Sequence, residues 1–230
     1  MNFTNWEPFY KNIVADFIFS AEDDERAAAL LNELLQKKSP AINKLNDFIN
    51  GKDIFIFGAG PSLELSLTKH KNRFADSVII TADGATSALM KHNITPDIIA
   101  TDLDGNIADQ RQANSEGSIV VIHAHGDNIE QIKKEIPKFK GDIIGTTQKD
   151  PQFYGNLYNF GGFTDGDRAA YLADHFHAKN IWLLGFDFTG EIGSYSFAEH
   201  KNKDIKLKKL QWCKKLLYVL QKNNPSIQYL

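Results

Sequence analysis
The chain has 230 residues, 42% of them hydrophobic, with a formal net charge of −3 at pH 7 and a pI near 6.2. That length suits one α/β domain with an added helical segment better than two full domains. The mild acidity excludes any general attraction to nucleic acid or to an anionic membrane, and a single cysteine, Cys213, excludes an internal disulfide.

The opening MNFTNWEPFY has no basic stretch followed by an apolar core, so no signal peptide is expected. No apolar run approaches the ~20 residues that a membrane span requires. A cytoplasmic protein is expected. Through residue 50, Trp6, Phe9, Ile13 and Phe17, then Ala28, Leu31, Leu34 and Leu35, recur at helical spacing. Ser20 before Glu22, Asp23 and Asp24 reads as a helix start with acidic first-turn residues. Pro40 breaks the pattern, and a short helix comes next, through Leu45 to Ile49. Residues 1–50 are expected to form a helical cap that serves packing or dimerisation, with no evident catalytic arrangement.

From residue 51 onward, short β-rich runs alternate with helical stretches. The runs are DIFIF (53–57), SVIIT (77–81), DIIAT (97–101), SIVVIH (118–123), DIIGTT (142–147) and NIWLLG (180–185). Several are continuously apolar, which predicts strands covered on both faces in a doubly wound, mostly parallel sheet. Residues 84–92, 128–135, 167–177 and 205–221 are expected to be helical, Pro225 ends the last helix, and SIQYL can add an edge strand. The division expected is a helical segment over 1–50 and an α/β nucleotide-binding catalytic domain over 51–230. Cys213 reads as a small buried hydrophobe on the last helix.

The chemistry lies in the turns at the strand ends. FGAGPSL (57–63), TADGA (81–85), TDLDG (101–105), HAHGDN (123–128) and GFDF (185–188) each close a strand, and GGFTDGDRA (161–169) opens a helix. In a doubly wound sheet these positions share one rim, at the carboxyl ends of the strands. Asp83, Asp102, Asp104, Asp127, Asp165, Asp167 and Asp187 are therefore expected to converge there. Taken singly, each reads as a turn or cap residue. Together they repel one another unless a cation or protons intervene, and a hard oxygen-binding cation such as Mg²⁺ fits. TDLDG is the best metal candidate; Asp102 and Asp104 face one cation only if the chain turns at Leu103, a turn that Gly105 permits.

At FGAGPSL, Gly58 and Gly60 allow close backbone approach to a ligand, and the next helix offers free amides to phosphate, with Ser62 as a hydroxyl donor. Leu63 replaces the third glycine of a dinucleotide fingerprint, while Asp83 sits where a ribose-binding acid falls, so an NAD-binding module is an alternative. That alternative leaves TDLDG, HAHGDN and TDGDR without a use. His123 and His125 suit hydrogen bonding to substrate or phosphate, with zinc as the other option. Thr164 or Asp165 is expected to cap its helix, with Asp167 or Arg168 facing the site and Arg168 as a phosphate fork or an ion-pair partner. Lys201, Lys203, Lys206 and Lys208 lie early in a lysine-rich amphipathic helix, where some can reach a triphosphate.

In this order, FGAGPSL, ADGA, TDLDG, HAHGDN, GGFTDGDRA, LLGFDF and the lysine-rich terminal helix resemble the archaeal-type 6-hydroxymethyl-7,8-dihydropterin pyrophosphokinases, over roughly residues 50 to 220. ADGA, TDLDG and the TDxxxA element also look distantly like thiamine pyrophosphokinase, and a related domain occurs in flagellin-modifying glycosyltransferase-like proteins. The resemblance implies a Rossmann-like catalytic domain that transfers pyrophosphate from ATP to the hydroxymethyl group of a reduced pterin, giving AMP and the pterin diphosphate. It places Asp83, Asp102 and Asp104 at Mg²⁺–ATP, with Asp127 and Asp165 supporting and Gly58, Gly60 and Ser62 near phosphate. His125 and Asp127 are the candidate general bases; Asp187 or Asp127, with Phe163 or Phe186, would recognise the pterin. The expected partners are ATP and the reduced pterin, without nucleic acid or membrane, in a chain that can pair as a homodimer. A nucleotide-sugar-dependent glycosyltransferase-like activity is the other alternative.

Overall fold
A computed structural model describes residues 3–36, 42–74, 76–196 and 203–230. Pro40 and Lys201 lie outside the described residues.

The core is one parallel sheet. Its strands are β1 (Asp53–Phe57), β2 (Val78–Ala82), β3 (Ile98–Thr101), β4 (Ile119–Ala124), β5 (Ile143–Thr147), β6 (Leu157–Tyr158), β7 (Asn180–Leu184) and β8 (Ile227–Tyr229), in the spatial order β6-β5-β4-β3-β2-β1-β7-β8. Every pairing is parallel, with Phe55 of β1 opposite Ile79 of β2 and Trp182 of β7. The chain starts at β1, winds outward through β6, and returns to the other side of β1 as β7 and β8. The reversal makes the β1 edge a topological switch point, where open α/β sheets bind ligands.

Successive side chains of a strand face opposite sides, and here both sides are covered. Ile54 and Ile56 enter one core with α1 (Phe3–Phe17), α3 (Ile42–Ile49), α8 (Asp165–His175) and α9 (Lys203–Asn223). On the other side, Phe55 and Phe57 pack with α4 (Leu63–His70) and α5 (Ala85–Lys91). Further along that side, Ile99, Val120 and Ile122 pack with α2 (Ala21–Leu35), α6 (Ile107–Ser115) and α7 (Ile129–Glu135). The continuously apolar runs read from the sequence are thus strands buried on two faces. Each fully buried Leu, Ile or Phe contributes about 1.5–3 kcal/mol of transfer free energy.

The helices α1 and α3 are part of this packing. Trp6, Tyr10 and Ile13 of α1 and Leu45 and Ile49 of α3 are buried in the same core as β1 and α8. Ser20 caps α2, accepting from the Asp23 amide at 3.1 Å, as its sequence context predicts. Among the described residues, no helix is long and apolar enough to cross a membrane.

Candidate active site
The carboxyl ends of β1 to β4 and β7 and the start of α8 surround a cavity of about 500 Å³, within the usual range for small-molecule sites. The turn between α1 and α2 and one face of α9 close its walls.

Asp83 lies just past β2 with φ of 40°, a left-handed conformation that a non-glycine residue rarely holds. Its amide donates to the Ala100 carbonyl at 2.8 Å. Its Oδ1 accepts from Thr101 Oγ1 at 2.8 Å, from Gln110 Nε2 at 2.8 Å and from the Gly105 amide at 3.2 Å. The side chain is buried, and burial, joined by the charges of Asp104 and Asp102, pushes its carboxyl up to about 7 against the pull of those hydrogen bonds.

The TDLDG turn falls at Leu103 itself, whose φ is 68° and whose side chain is anchored in the core. The Leu103 amide donates to Thr101 Oγ1 at 2.9 Å. Gly105, expected to permit that turn, has a different role. A Cβ there would lie 2.3 Å from Asp83 Oδ2, so only glycine lets this backbone donate to the Asp83 carboxylate.

Asp165 opens α8. Burial, then the charges of Asp102, Asp83 and Asp104, hold its carboxyl well above the usual range, with Arg168 opposing. Asp83, Asp102 and Asp165 each present an oxygen, and these three atoms lie within 4.8 Å of one another. Asp104 lines the same cavity but is exposed and stands outside this trio. Three carboxylates this close, two with raised pKa, need protons or a cation between them; an all-oxygen donor set of this charge fits Mg²⁺.

Thr164 is the N-cap of α8, and Asp167 turns back to close the cap, accepting from the Thr164 amide at 2.8 Å and the Phe163 amide at 2.5 Å. Arg168 is the member of that pair that lines the cavity. Its Nε donates to the Phe163 carbonyl at 3.1 Å and its Nη2 to Gln148 Oε1 at 3.3 Å. Burial lowers its pKa to about 10, with Asp167 and Asp165 opposing, so it is cationic at neutral pH.

The two histidines at the end of β4 form hydrogen bonds in different settings. His123 is buried, and burial, joined by the charges of Arg168 and His125, holds its pKa well below normal. Its Nδ1 is 3.1 Å from Thr146 Oγ1, which itself donates to the Ile122 carbonyl, so Nδ1 carries the proton. His125 Nδ1 accepts from the Asp127 amide at 3.2 Å, which leaves Nε2 as the donor to Asp102 Oδ2 at 3.3 Å. The Asp127 side chain is 69% exposed at the cavity wall. Asn128 braces the turn, donating to the Asp102 and His123 carbonyls, each at 2.7 Å.

The glycine loop after β1 lines the cavity at Gly58 and Gly60 and packs on the loop after β7. The Gly60 amide donates to the Gly185 carbonyl at 2.9 Å, and a Cβ on Gly60 would sit 2.3 Å from Asp187 Oδ2. That oxygen accepts from both the amide and the hydroxyl of Ser62, at 2.9 and 2.8 Å. The donors at the start of α4 therefore hold the Asp187 carboxylate. A Cβ on Gly58 would meet the Gly185 carbonyl at 2.8 Å and the Phe186 ring at 3.3 Å, so these glycines seat the β1 loop on the β7 loop.

Of the lysines read from the sequence, Lys203 is exposed at the start of α9, and Lys208 pairs with Asp16 at 2.8 Å. Lys206 donates to the Ser196 carbonyl at 2.6 Å. Lys209, which sequence reasoning missed, lines the cavity with Nζ 6.0 Å from the Phe163 ring centre and makes no ion pair among the described residues. Asp24 was also missed. It is buried, and it accepts from Tyr10 Oη at 2.8 Å, Gln148 Nε2 at 3.2 Å and the Gly126 amide at 2.8 Å, bracing the β4 loop from the N-terminal segment. Its only sequence signal was its place in an acidic helix start. Cys213 is buried against the cavity, with its thiol pushed up by burial.

The chain is similar along its whole length to proteins named 6-hydroxymethyl-7,8-dihydropterin pyrophosphokinase. It is 42% identical to that of Methanocaldococcus jannaschii over 100% of both chains. The Pyrococcus furiosus protein is 45% identical over 98% of this chain and 97% of its own, and the Methanothermobacter thermautotrophicus protein 38% identical over 95% and 94%. A solved structure, that of the MAf glycosyltransferase from Magnetospirillum magneticum AMB-1, aligns with 69% of this chain and 28% of its own at 17% identity and a TM-score of 0.41. The family model described as "6-hydroxymethylpterin diphosphokinase MptE-like" matches residues 25–192, and the chain belongs to that family.

Proposed function
We propose that this protein transfers the pyrophosphoryl group of ATP to the hydroxymethyl group of 6-hydroxymethyl-7,8-dihydropterin in a Mg²⁺-dependent reaction, releasing AMP and the pterin diphosphate. The observation that carries the reading is the trio of Asp83, Asp102 and Asp165, whose oxygens lie within 4.8 Å of one another at the carboxyl ends of β2 and β3 and the start of α8. The names of the full-length relatives supply the substrate class.

In this reading Asp83, Asp102 and Asp165 would hold the ion, and Asp104 lines the same cavity. Mg²⁺ held there would neutralise phosphate charge and orient the triphosphate. Asp102 is kept in register by His125 Nε2, and Asp83 by Thr101, Gln110 and Gly105, so both carboxylates are pre-oriented. Arg168 and Lys209 bring positive charge to the phosphate oxygens, and Lys203 lies at the outer end of α9. Gly58, Gly60 and Ser62 shape the cavity floor through Asp187. The attacking hydroxyl must lie in line with the β-phosphorus at about 3–3.5 Å. Both ring nitrogens of His125 are engaged, which leaves Asp127 as the side chain to accept the hydroxyl proton.

The test is a product assay by mass spectrometry with ATP, Mg²⁺ and the hydroxymethyl-dihydropterin. AMP and the pterin diphosphate are expected in equal amounts. ADP as product, or no turnover, would refute the proposal.

A further inference from the structure
We infer that the ring of Phe19, presented by the turn between α1 and α2 and backed by Phe17 and Phe163, is the face on which the flat heterocycle of the acceptor stacks. The inference rests on the functional reading above.

The turn ends α1 as a left-handed cap centred on Ile18. In an α-helix, residues two apart point to nearly opposite sides. Here Ile18, 91% exposed, takes φ of 57°, a disfavoured conformation for a β-branched residue. The result is that Phe17 and Phe19 lie face to face, ring centres 5.1 Å apart and 9° from parallel. The surroundings enforce this arrangement. The Phe19 amide donates to the Val14 carbonyl at 3.1 Å, Ser20 caps α2, and Asp16 is held by Lys208 and by Trp212 Nε1 at 2.8 and 2.7 Å. The cap thus sets Phe17 and Phe19 as one stacked pair, with Phe19 lining the cavity.

The wall also stands in the right place. Phe163 lies 5.3 Å from Phe17 and 6.4 Å from Phe19, ring centre to ring centre, and is two residues from Asp165 of the carboxylate trio. Phe19 is half-buried and lines the cavity. The acceptor's hydroxyl is one carbon from its ring, so the ring must lie close to the phosphorus that is attacked. The adenine of ATP is held off from that atom by its ribose and α-phosphate. An aromatic face beside the carboxylates therefore suits the acceptor. Of the cavity's remaining phenylalanines, Phe186 fills the space over Gly58 and Gly166, where added Cβ atoms would lie 3.3 and 2.8 Å from its ring, and Phe188 packs edge-to-face with Tyr229, ring centres 6.2 Å apart.

The experiment measures KM for the pterin and for ATP separately in wild type, Phe19→Leu and Phe19→Tyr. Leucine keeps apolar bulk and loses the π face; tyrosine keeps both. We expect Phe19→Leu to raise the pterin KM about tenfold or more with the ATP KM within about twofold, and Phe19→Tyr to stay near wild type. A Phe19→Leu protein with wild-type pterin KM, or with only its ATP KM raised, would overturn this inference while the functional reading stood. A wild-type protein with no turnover would overturn the functional reading first. Calorimetric binding of MgATP to each variant separates loss of acceptor affinity from loss of fold.

Discussion

The backbone of Gly105 touches the carboxylate of Asp83 with no space between them: the amide donates to Oδ1 at 3.2 Å, and a Cβ would lie 2.3 Å from Oδ2. Gly105→Ala must therefore displace Asp83 or the loop after β3. Turnover should fall about 100-fold, the cost expected when a site group moves by about 1 Å. Stability should fall by only about 1–3 kcal/mol, as for other overpacked substitutions. Steady-state kinetics and thermal melts check both.

Membership of the trio separates two aspartates that the sequence does not rank. Asp165→Asn should cost at least about 100-fold in kcat/KM, while Asp104→Asn, at an exposed position outside the trio, should cost about tenfold or less. Equal losses in the two variants would remove the distinction.

A carboxyl raised to about 7 by burial and like charge links the ion to pH. The folded state binds the Asp83 proton more tightly than the unfolded chain does, so its contribution to stability is full below about pH 4 and is lost as pH rises towards 7. A cation that replaces the proton should restore that stability. Mg²⁺ is expected to raise Tm clearly at pH 7.5 and little at pH 5, and Asp83→Asn should flatten the difference. Calorimetric scans at both pH values, with and without Mg²⁺, measure it.

Asp24→Ala would leave the Tyr10 hydroxyl, the Gln148 amide and the Gly126 N–H without their shared acceptor. Orphaned buried donors cost about 1–3 kcal/mol each in such changes. A Tm drop of several degrees is expected by thermal melting, together with reduced activity, because Gly126 belongs to the turn that positions His125.

Much of this fold is legible in the primary structure because two-sided burial writes itself as unbroken apolar runs such as DIFIF and SIVVIH. β6 is not, since two residues, Leu157 and Tyr158, carry no periodicity. The rim aspartates are legible as a group, because strand ends in a doubly wound sheet share an edge. Which of them meet is not. An aspartate at a helix start, as Asp165 is, reads first as a cap, and only the packing of α8 across the sheet carries it to Asp83 and Asp102. The glycines of FGAGPSL read as ligand-facing, and Gly58 and Gly60 line the cavity, but the group packed against them, from Gly185 to Asp187, lies more than 120 positions away and leaves no local signal. Among the lysines, helix phase decides: Lys208 turns to Asp16 while its neighbour Lys209 faces the cavity.

The most direct test of the metal site is an anomalous difference map from crystals grown with Mn²⁺ and a non-hydrolysable ATP analogue. A single strong peak at bonding distance from oxygens of Asp83, Asp102 and Asp165, with the analogue's phosphates beside it, is the predicted result. A peak that avoids this trio, or phosphates lying on the Ser62 end of α4 with Asp187 displaced, would contradict it.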